Sequence, residues 1–335
     1  MNVGNICRSQ NCDRQFLFGA PAASPVFFPF QPLAFSLWPL VPGHHLLLTD
    51  QTSILHLIVA MPVYACIIPT RNRPVATIEA VQSVLTQTAS DLECIVVDDG
   101  SDDETADRIA ALRDPRLRVV RQPNRGVAAA RNRGVALSAS PWIAFLDSDD
   151  RWLPRKMERQ LAYMAAHPAL RISQTDETWV RRGRRVNPMK KHLKSGGDLF
   201  VRSLELCVIS PSAVLMARTL FDDAGGFDED FPVCEDYDLW LRITCCEPVG
   251  FLPEPLVVKY GGHADQLSRS VPVMDRWRIR AIDKILRGDR LTEDQRHAAI
   301  EELERKCRIV AQGCRKRGNV EEAERLLALA RQYRS

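Results

Sequence analysis

No two cysteines in this chain stand in a CxxC pair. The ten cysteines are scattered from Cys7 to Cys314, and the one adjacent pair, Cys245 and Cys246, sits in an apolar run with helical character. Such spacing excludes a disulfide-dense scaffold and makes a poor zinc site, so reduced thiols serving mostly as small core residues are expected. An excess of one charge is also missing. With 45 Lys and Arg against 42 Asp and Glu the formal net charge is +3, too balanced for a protein that binds nucleic acid through its overall field. With 45% hydrophobic and 26% charged residues, and only 17 Gly and 21 Pro in 335 residues, the composition is that of a soluble globular chain rather than a disordered or collagen-like one. The length allows one large domain or two modest ones.

A third absence is local. From Phe16 to Thr49 there is no Asp, Glu, Lys or Arg, yet Pro21, Pro25, Pro29, Pro32, Pro39 and Pro42 break the run. Each proline removes an amide donor and crowds the preceding helical turn, which opposes a continuous helix across lipid. Arg8 and Arg14 are mixed with Asp13 and no compact apolar stretch ends at a small-residue site, so a signal peptide fits poorly. Residues 1–60 therefore read as a disordered or non-native extension. Met61 reads as the natural start, because MPVYACIIPT opens directly on a buried strand.

From Val63 onward, strand and helix patterns alternate. An apolar run Val63 to Ile68 ends at Pro69, a helical pattern follows from Val75 to Gln87, and a second run Cys94 to Val97 ends in Asp98-Asp99-Gly100. A helix over Glu104 to Leu112, a strand Leu117 to Val120, a helix Val127 to Leu137 and a strand Trp142 to Leu146 continue the series. This alternation predicts an α/β fold with a mostly parallel, doubly wound sheet. Ligands of such sheets sit beyond the carboxyl ends of the strands. Three strand ends here carry polar clusters, Pro69-Thr70-Arg71-Asn72, Asp98-Asp99-Gly100-Ser101 and Asp147-Ser148-Asp149-Asp150. Singly, each is no more than a turn with a helix cap. In order and at βαβ spacing they converge on one sheet edge, which caps alone do not require.

Five ordered segments resemble a known family. Ile67-Ile68-Pro69-Thr70-Arg71-Asn72-Arg73-Pro74, Val96-Val97-Asp98-Asp99-Gly100-Ser101, Asn124 to Asn132, Phe145-Leu146-Asp147-Ser148-Asp149-Asp150 and Glu235 to Arg242 are similar to motifs of the family 2 glycosyltransferases with the GT-A fold. The resemblance spans roughly residues 61–265. It implies a GT-A catalytic domain over 61–273, followed by a helical extension over 274–335.

The same resemblance implies how a nucleotide-diphosphate sugar, of the UDP type, would be held. Pro69, Thr70, Arg71 and Asn72 would surround the nucleoside, with Asp98 and Asp99 at the base, where a carboxylate accepts the uracil imide hydrogen. Arg131 would meet the base edge or the diphosphate, although alone it reads as a solvated helix cation. Asp147, Ser148 and Asp149 form a DxD signature. Two carboxylates facing one cleft repel, and Mg²⁺ or Mn²⁺ between them and the diphosphate compensates. Asp150 leaves the second ligand uncertain by one residue, and His263 falls where the family places a third. A lone histidine is otherwise an ordinary surface residue.

Glu235 and Asp236 open a helix, where acids also complement the dipole. The resemblance makes Asp236 the general base that takes the acceptor proton in a single inverting displacement. Glu235 and Trp240 become acceptor-facing candidates, Trp240 by stacking on a sugar unless it packs in the core. Implied partners are a nucleotide-sugar donor and a saccharide or lipid-linked acceptor, at the inner face of a membrane in the cytoplasm.

Between the motifs, Thr175 to Lys194 gathers Arg181, Arg182, Arg184, Arg185, Lys190, Lys191 and Lys194. This stretch is either a contact for an anionic acceptor, a lipid diphosphate or a membrane surface, or a solvated loop bordering the acceptor cleft. After Met274 the pattern turns helical, with Thr292 as a cap and amphipathic helices over Glu301 to Gly313 and Glu321 to Tyr333, suited to pack on the catalytic domain or on a second protomer. Two other readings accompany the enzyme. A catalytically silent donor-binding relative has no chemical need for Asp236, and a nucleotidyltransferase lacks its Gly-rich, lysine-bearing loop near the first strand. Donor sugar, acceptor and pathway are not written in the sequence.

Overall fold

Seven consecutive buried residues, Tyr64–Thr70, make the strand β1. A strand covered on both faces reads as a continuous apolar run, which is why this segment was legible. Helix α1 (Pro74–Leu85) starts on a proline already set at a helical φ and returns the chain to β2 (Leu92–Asp99), parallel to β1. Helix α2 (Thr105–Ala110), β3 (Leu117–Gln122), α3 (Val127–Ala136) and β4 (Trp142–Phe145) follow, with β3 parallel to β2 and β4 parallel to β1. These bounds lie within a few residues of the predicted ones.

The computed structural model describes residues 62–187, 189–262 and 274–333, all within one unit, Val59–Ser335. The expectations for residues 1–60 and for His263 lie outside the described residues.

Beyond β4 the sheet becomes mixed. Strand β5 (Arg151–Trp152) pairs with β9 (Gly250–Gly261), which runs parallel to β6 (Ile172–Arg181). Strand β8 (Val214–Ala217) lies antiparallel between β4 and β6, and β7 (Arg184–Val186) folds back on β6 as a hairpin. The order β3-β2-β1-β4-β8-β6-β9-β5 thus joins a parallel half to a half containing antiparallel pairs. Helix α4 (Lys156–Ala166) crosses from β5 to β6; α5 (Phe200–Glu205), α6 (Arg218–Asp223) and α7 (Glu235–Thr244) fill the chain before β9.

Helices α8 (Asp275–Leu286), α9 (Glu293–Lys316) and α10 (Val320–Arg331) close the described chain. Thr292 caps α9 as expected: its hydroxyl accepts from the Gln295 amide, and the Gln295 side chain accepts from the Thr292 amide. The helix then runs unbroken over 24 residues rather than beginning near Glu301. These helices share a hydrophobic core with the rest of the protein. Ile282, Leu286, Leu303, Cys307 and Val310 cluster with Phe200 and Leu204 of α5 and with Tyr237 and Leu241 of α7. The Lys306 ammonium, buried at that junction, donates to the Glu205 carbonyl at 3.1 Å and pairs with Glu302 at 2.9 Å. The boundary at 273/274 is therefore a boundary in sequence with a common core across it. Leu303→Ala, which empties a fully buried site there, is expected to cost about 2–5 kcal/mol, read as a lowered urea midpoint.

Among the described residues the cysteines are free thiols, most of them buried. No helix among those residues is long and apolar enough to cross a membrane.

Candidate active site

Because β1, β2 and β4 run parallel, their carboxyl ends open on one edge. The loops leaving β1 and β2 are stitched together there. The Asn72 amide donates to Ser101 Oγ at 2.8 Å, Asn72 Oδ1 accepts from the Asp102 amide at 3.0 Å, and the Arg73 amide donates to Thr105 Oγ1 at 3.1 Å. Asn72 holds φ +53, a left-handed conformation that asparagine tolerates better than most residues. Thr70 and Thr77 share a hydrogen bond of 2.6 Å. Of the residues expected around the donor, Arg71 and Asn72 are exposed on this rim while Pro69, Thr70, Asp98, Asp99 and Ser148 are buried.

The two β2 carboxylates are engaged by protein. Asp98 Oδ1 accepts from the Ser101 amide at 2.9 Å, and Arg121 lies 3.4 Å from its Oδ2. Asp99 Oδ1 accepts from Gln122 Nε2 at 2.7 Å and the Arg125 amide at 2.9 Å, and its Oδ2 accepts from the Gly126 amide at 2.9 Å. Asp99 thereby pins the entrance to α3. That helix lies close on β1, since a Cβ on Gly134 would meet Ile67 Cγ2 at 2.4 Å. The approach carries Arg131 to the strand ends.

At the end of β4, Asp147, Asp149 and Asp150 bring carboxylate oxygens within 4.8 Å of one another. Their surroundings separate their roles. Asp150 is 1% exposed; it accepts from Ser212 Oγ at 2.6 Å and from the Tyr260 amide at 3.2 Å, and Lys259 Nζ lies 3.0 Å away. Burial pushes its carboxyl up to about 7 despite Lys259, with Asp147 and Asp149 adding to the rise. Asp147 and Asp149 are partly exposed; Arg73 Nη1 donates to Asp149 at 3.1 Å. For Asp147, burial acts upward but Arg131 and Lys259 outweigh it, leaving its carboxyl below the usual range. Hard oxygen ligands at this spacing, two of the three carboxylates partly open to solvent, would suit a divalent cation. Asp150 is the inner, protein-held member of the cluster. Lys259 was not anticipated, although a lone lysine in the apolar run Leu256-Val257-Val258-Lys259-Tyr260 is a signal for a partnered buried cation.

Arg131 joins this cluster to α7. Only 3% exposed, it donates through one guanidinium nitrogen to Asp147 Oδ1 at 2.7 Å and through the other to Glu235 Oε1 at 2.6 Å, with the Phe227 ring 5.1 Å below. Burial works against its charge, but Asp147 and Glu235 hold it firmly protonated. Burial pushes Glu235 up to about 7, with Arg131 opposing. The turn into α7 is made by Cys234 at φ +61, strained for a residue with a Cβ. That turn separates the two acids. Glu235 points inward to Arg131, and Asp236 stays half-exposed, accepting from its neighbour's amide, Tyr237 N, at 2.7 Å and from Cys207 Sγ at 3.3 Å.

Of the two places open to Trp240, the structure takes the core. It is 1% exposed inside the core formed with Phe145, Leu239 and Ile243, so its ring cannot stack on a sugar. Glu235 is likewise buried, paired with Arg131.

The model of the glycosyl transferase family 2 matches residues 65–225. A glucosyltransferase of Escherichia coli, WfgD, which uses UDP-Glc and α-D-GlcNAc-diphosphoundecaprenol, is 31% identical over 53% of this chain and 68% of its own length. The chain belongs to the family 2 glycosyltransferases. This glycosyltransferase is also 30% identical to an uncharacterised Mycobacterium tuberculosis protein over 72% of the chain and 79% of that protein. An uncharacterised glycosyltransferase of Rickettsia felis is 32% identical over 57% of the chain, which spans only 31% of that relative's length. Among solved structures, S. aureus TarS 1–349 with UDP-GlcNAc superposes with a TM-score of 0.59 at 16% identity, covering 80% of this chain and 91% of that one. The mannosyltransferase PcManGT of Pyrobaculum calidifontis, solved with GDP-Man and Mn²⁺, gives 0.55 at 18% identity over 82% and 76%. The glycosyltransferase accordingly has the GT-A fold that its motifs implied, and it is an enzyme of that class.

Proposed function

We propose that the protein transfers a sugar from a UDP-type donor to a hydroxyl of a lipid-linked saccharide, inverting the anomeric configuration with the help of a divalent cation. The observation that carries this reading is the Arg131 bridge. By tying Asp147 to Glu235 it fixes the start of α7 against the carboxylate cluster and leaves Asp236 as the half-exposed acid of that helix. TarS, solved with UDP-GlcNAc, supports the donor class. WfgD, whose acceptor is diphosphoundecaprenol-linked, supports the acceptor class.

In this reading the acceptor hydroxyl rests against Asp236. The Asp236 carboxylate takes its proton as the hydroxyl oxygen bonds to the anomeric carbon, and the bond from that carbon to the diphosphate oxygen breaks on the opposite face. Asp147 and Asp149 would hold Mg²⁺ or Mn²⁺, which as a Lewis acid stabilises charge gathering on the leaving diphosphate. The Mn²⁺ complex of PcManGT supports that assignment. Asp150 and Lys259 brace the cluster from within, and Arg71 and Asn72 offer the exposed polar groups of the donor rim. Residues 61–273 supply the catalytic part, and the helices between 274 and 333 support α7.

Calorimetry tests the cation. UDP affinity is expected to fall at least about tenfold, or 1.4 kcal/mol, with EDTA and again in Asp149→Ala. Unaltered affinity under both conditions removes the cation from the reading.

A further inference from the structure

Many exposed or half-buried arginines of this protein have acidic partners, as Arg155 has Glu158, Arg159 has Glu254 and Arg171 has Asp223. The β6–β7 hairpin breaks that pattern. Between Glu177 and Asp198 the sequence contains no acid, and Arg181, Arg182, Arg184 and Arg185 are all exposed with no ion pair among the described residues. The turn between the strands is tight. Arg182 at φ +49 and Gly183 at φ +73 both take the left-handed conformation that matches strand twist in a two-residue hairpin. Arg181 and Arg184 are thereby paired across the ladder, and like charges placed opposite each other repel unless something anionic lies against them.

The turn that follows extends the surface. Lys190 and Lys191 are exposed on a 3₁₀ turn (Lys190–His192), flanked by Met189 at 60% and Leu193 at 52% exposure, among the most exposed large apolar residues described. Burial lowers the His192 pKa, and the field of Lys191 and Arg181 lowers it further. Lys194 is the anchor: buried, it lies 3.5 Å from Glu177 and donates to Gln174 Oε1 at 3.1 Å. The segment is thus tied at its root to β6, whose neighbour β9 carries Lys259 beside the carboxylate cluster.

We propose that the β6–β7 hairpin and the Met189–Leu193 turn dock the protein on an anionic membrane surface. Charge complementarity selects an anionic partner, and the two apolar side chains beside the lysines select a bilayer over a dissolved polyanion. Cations gain at the headgroups while Met189 and Leu193 enter the acyl boundary. The inference stands on the hairpin and the turn beside it, not on the reaction.

Flotation of the full chain with vesicles tests it, using phosphatidylcholine alone and with about one-third phosphatidylglycerol. Binding is expected to be at least about tenfold tighter on the anionic vesicles and to weaken at about 0.5 M salt. Since each cation at such a surface contributes about fivefold, the variant R181Q/R182Q/R184Q/R185Q is expected to lose about 100-fold or more. M189S/L193S is expected to bind more weakly while keeping the salt dependence. Donor hydrolysis without vesicles is unchanged in both variants, which shows that they are folded. Equal binding to neutral vesicles, no vesicle binding, wild-type binding by the four-arginine variant, or capture by heparin without vesicle binding would each overturn the proposal.

Discussion

Asp236→Asn is expected to lower sugar transfer by about 10²–10⁴ while leaving UDP affinity, read by calorimetry, within about threefold of the parent. Asparagine keeps the size of the side chain but accepts no proton at neutral pH, so only the step that needs a base suffers. Glu235→Gln is the internal comparison. Glu235 is buried on Arg131, so its substitution is expected to act through the position of α7 and to disturb stability as well as rate. If transfer survives in Asp236→Asn and is lost in Glu235→Gln without loss of stability, the base moves by one residue. If it survives in both, this helix leaves the mechanism.

The second large effect is expected at Arg131. Its guanidinium pairs with two carboxylates at 2.6 and 2.7 Å, and removing one partner of such a buried group leaves charge stranded in a low-dielectric site. Arg131→Met should therefore cost about 3–5 kcal/mol in chemical denaturation. Arg131→Lys should restore only part of this, because an ammonium lacks the planar fork that reaches both acids. The double variant Arg131→Met/Glu235→Gln should be more stable than Arg131→Met alone, since the stranded Glu235 charge is gone. If the double variant is no better, Glu235 is not the partner that matters.

The parallel half of the fold was legible because β1, β2 and β4 are largely buried on both faces and polar residues stand at or just after their ends. Lines of sequence were enough to place Asp98, Asp147 and Asp149 on one edge. The mixed half was not: β6 and β9 carry Asp176, Glu177, Glu254 and Lys259 among their apolar residues, so neither a continuous run nor strict alternation marks them. The engagement of Asp99 with the Gly126 amide, and of Arg131 with Glu235 at a separation of 104 residues, is tertiary and has no local signature. Trp240 was left open between a sugar platform and the core because it follows acids at a helix start, and the burial of that helix's apolar face against the sheet decides for the core. The unbroken α9 was missed because its polar and basic residues concealed the apolar positions that face α5, α8 and α10.

The shared core of α7 with α8 and α9 has a practical meaning for recombining such proteins. The segment that matches the family model stops at residue 225, short of Asp236, and part of the surface on which α7 rests comes from beyond Met274. A chimaera that grafts the first 225 residues onto a relative inherits the carboxylate cluster at the strand ends from one parent and Asp236 from another, joined through Arg131. Such a hybrid keeps its two halves aligned only when the residue facing Arg131 and the apolar bed beneath α7 travel together, so the terminal helices are best inherited along with α7.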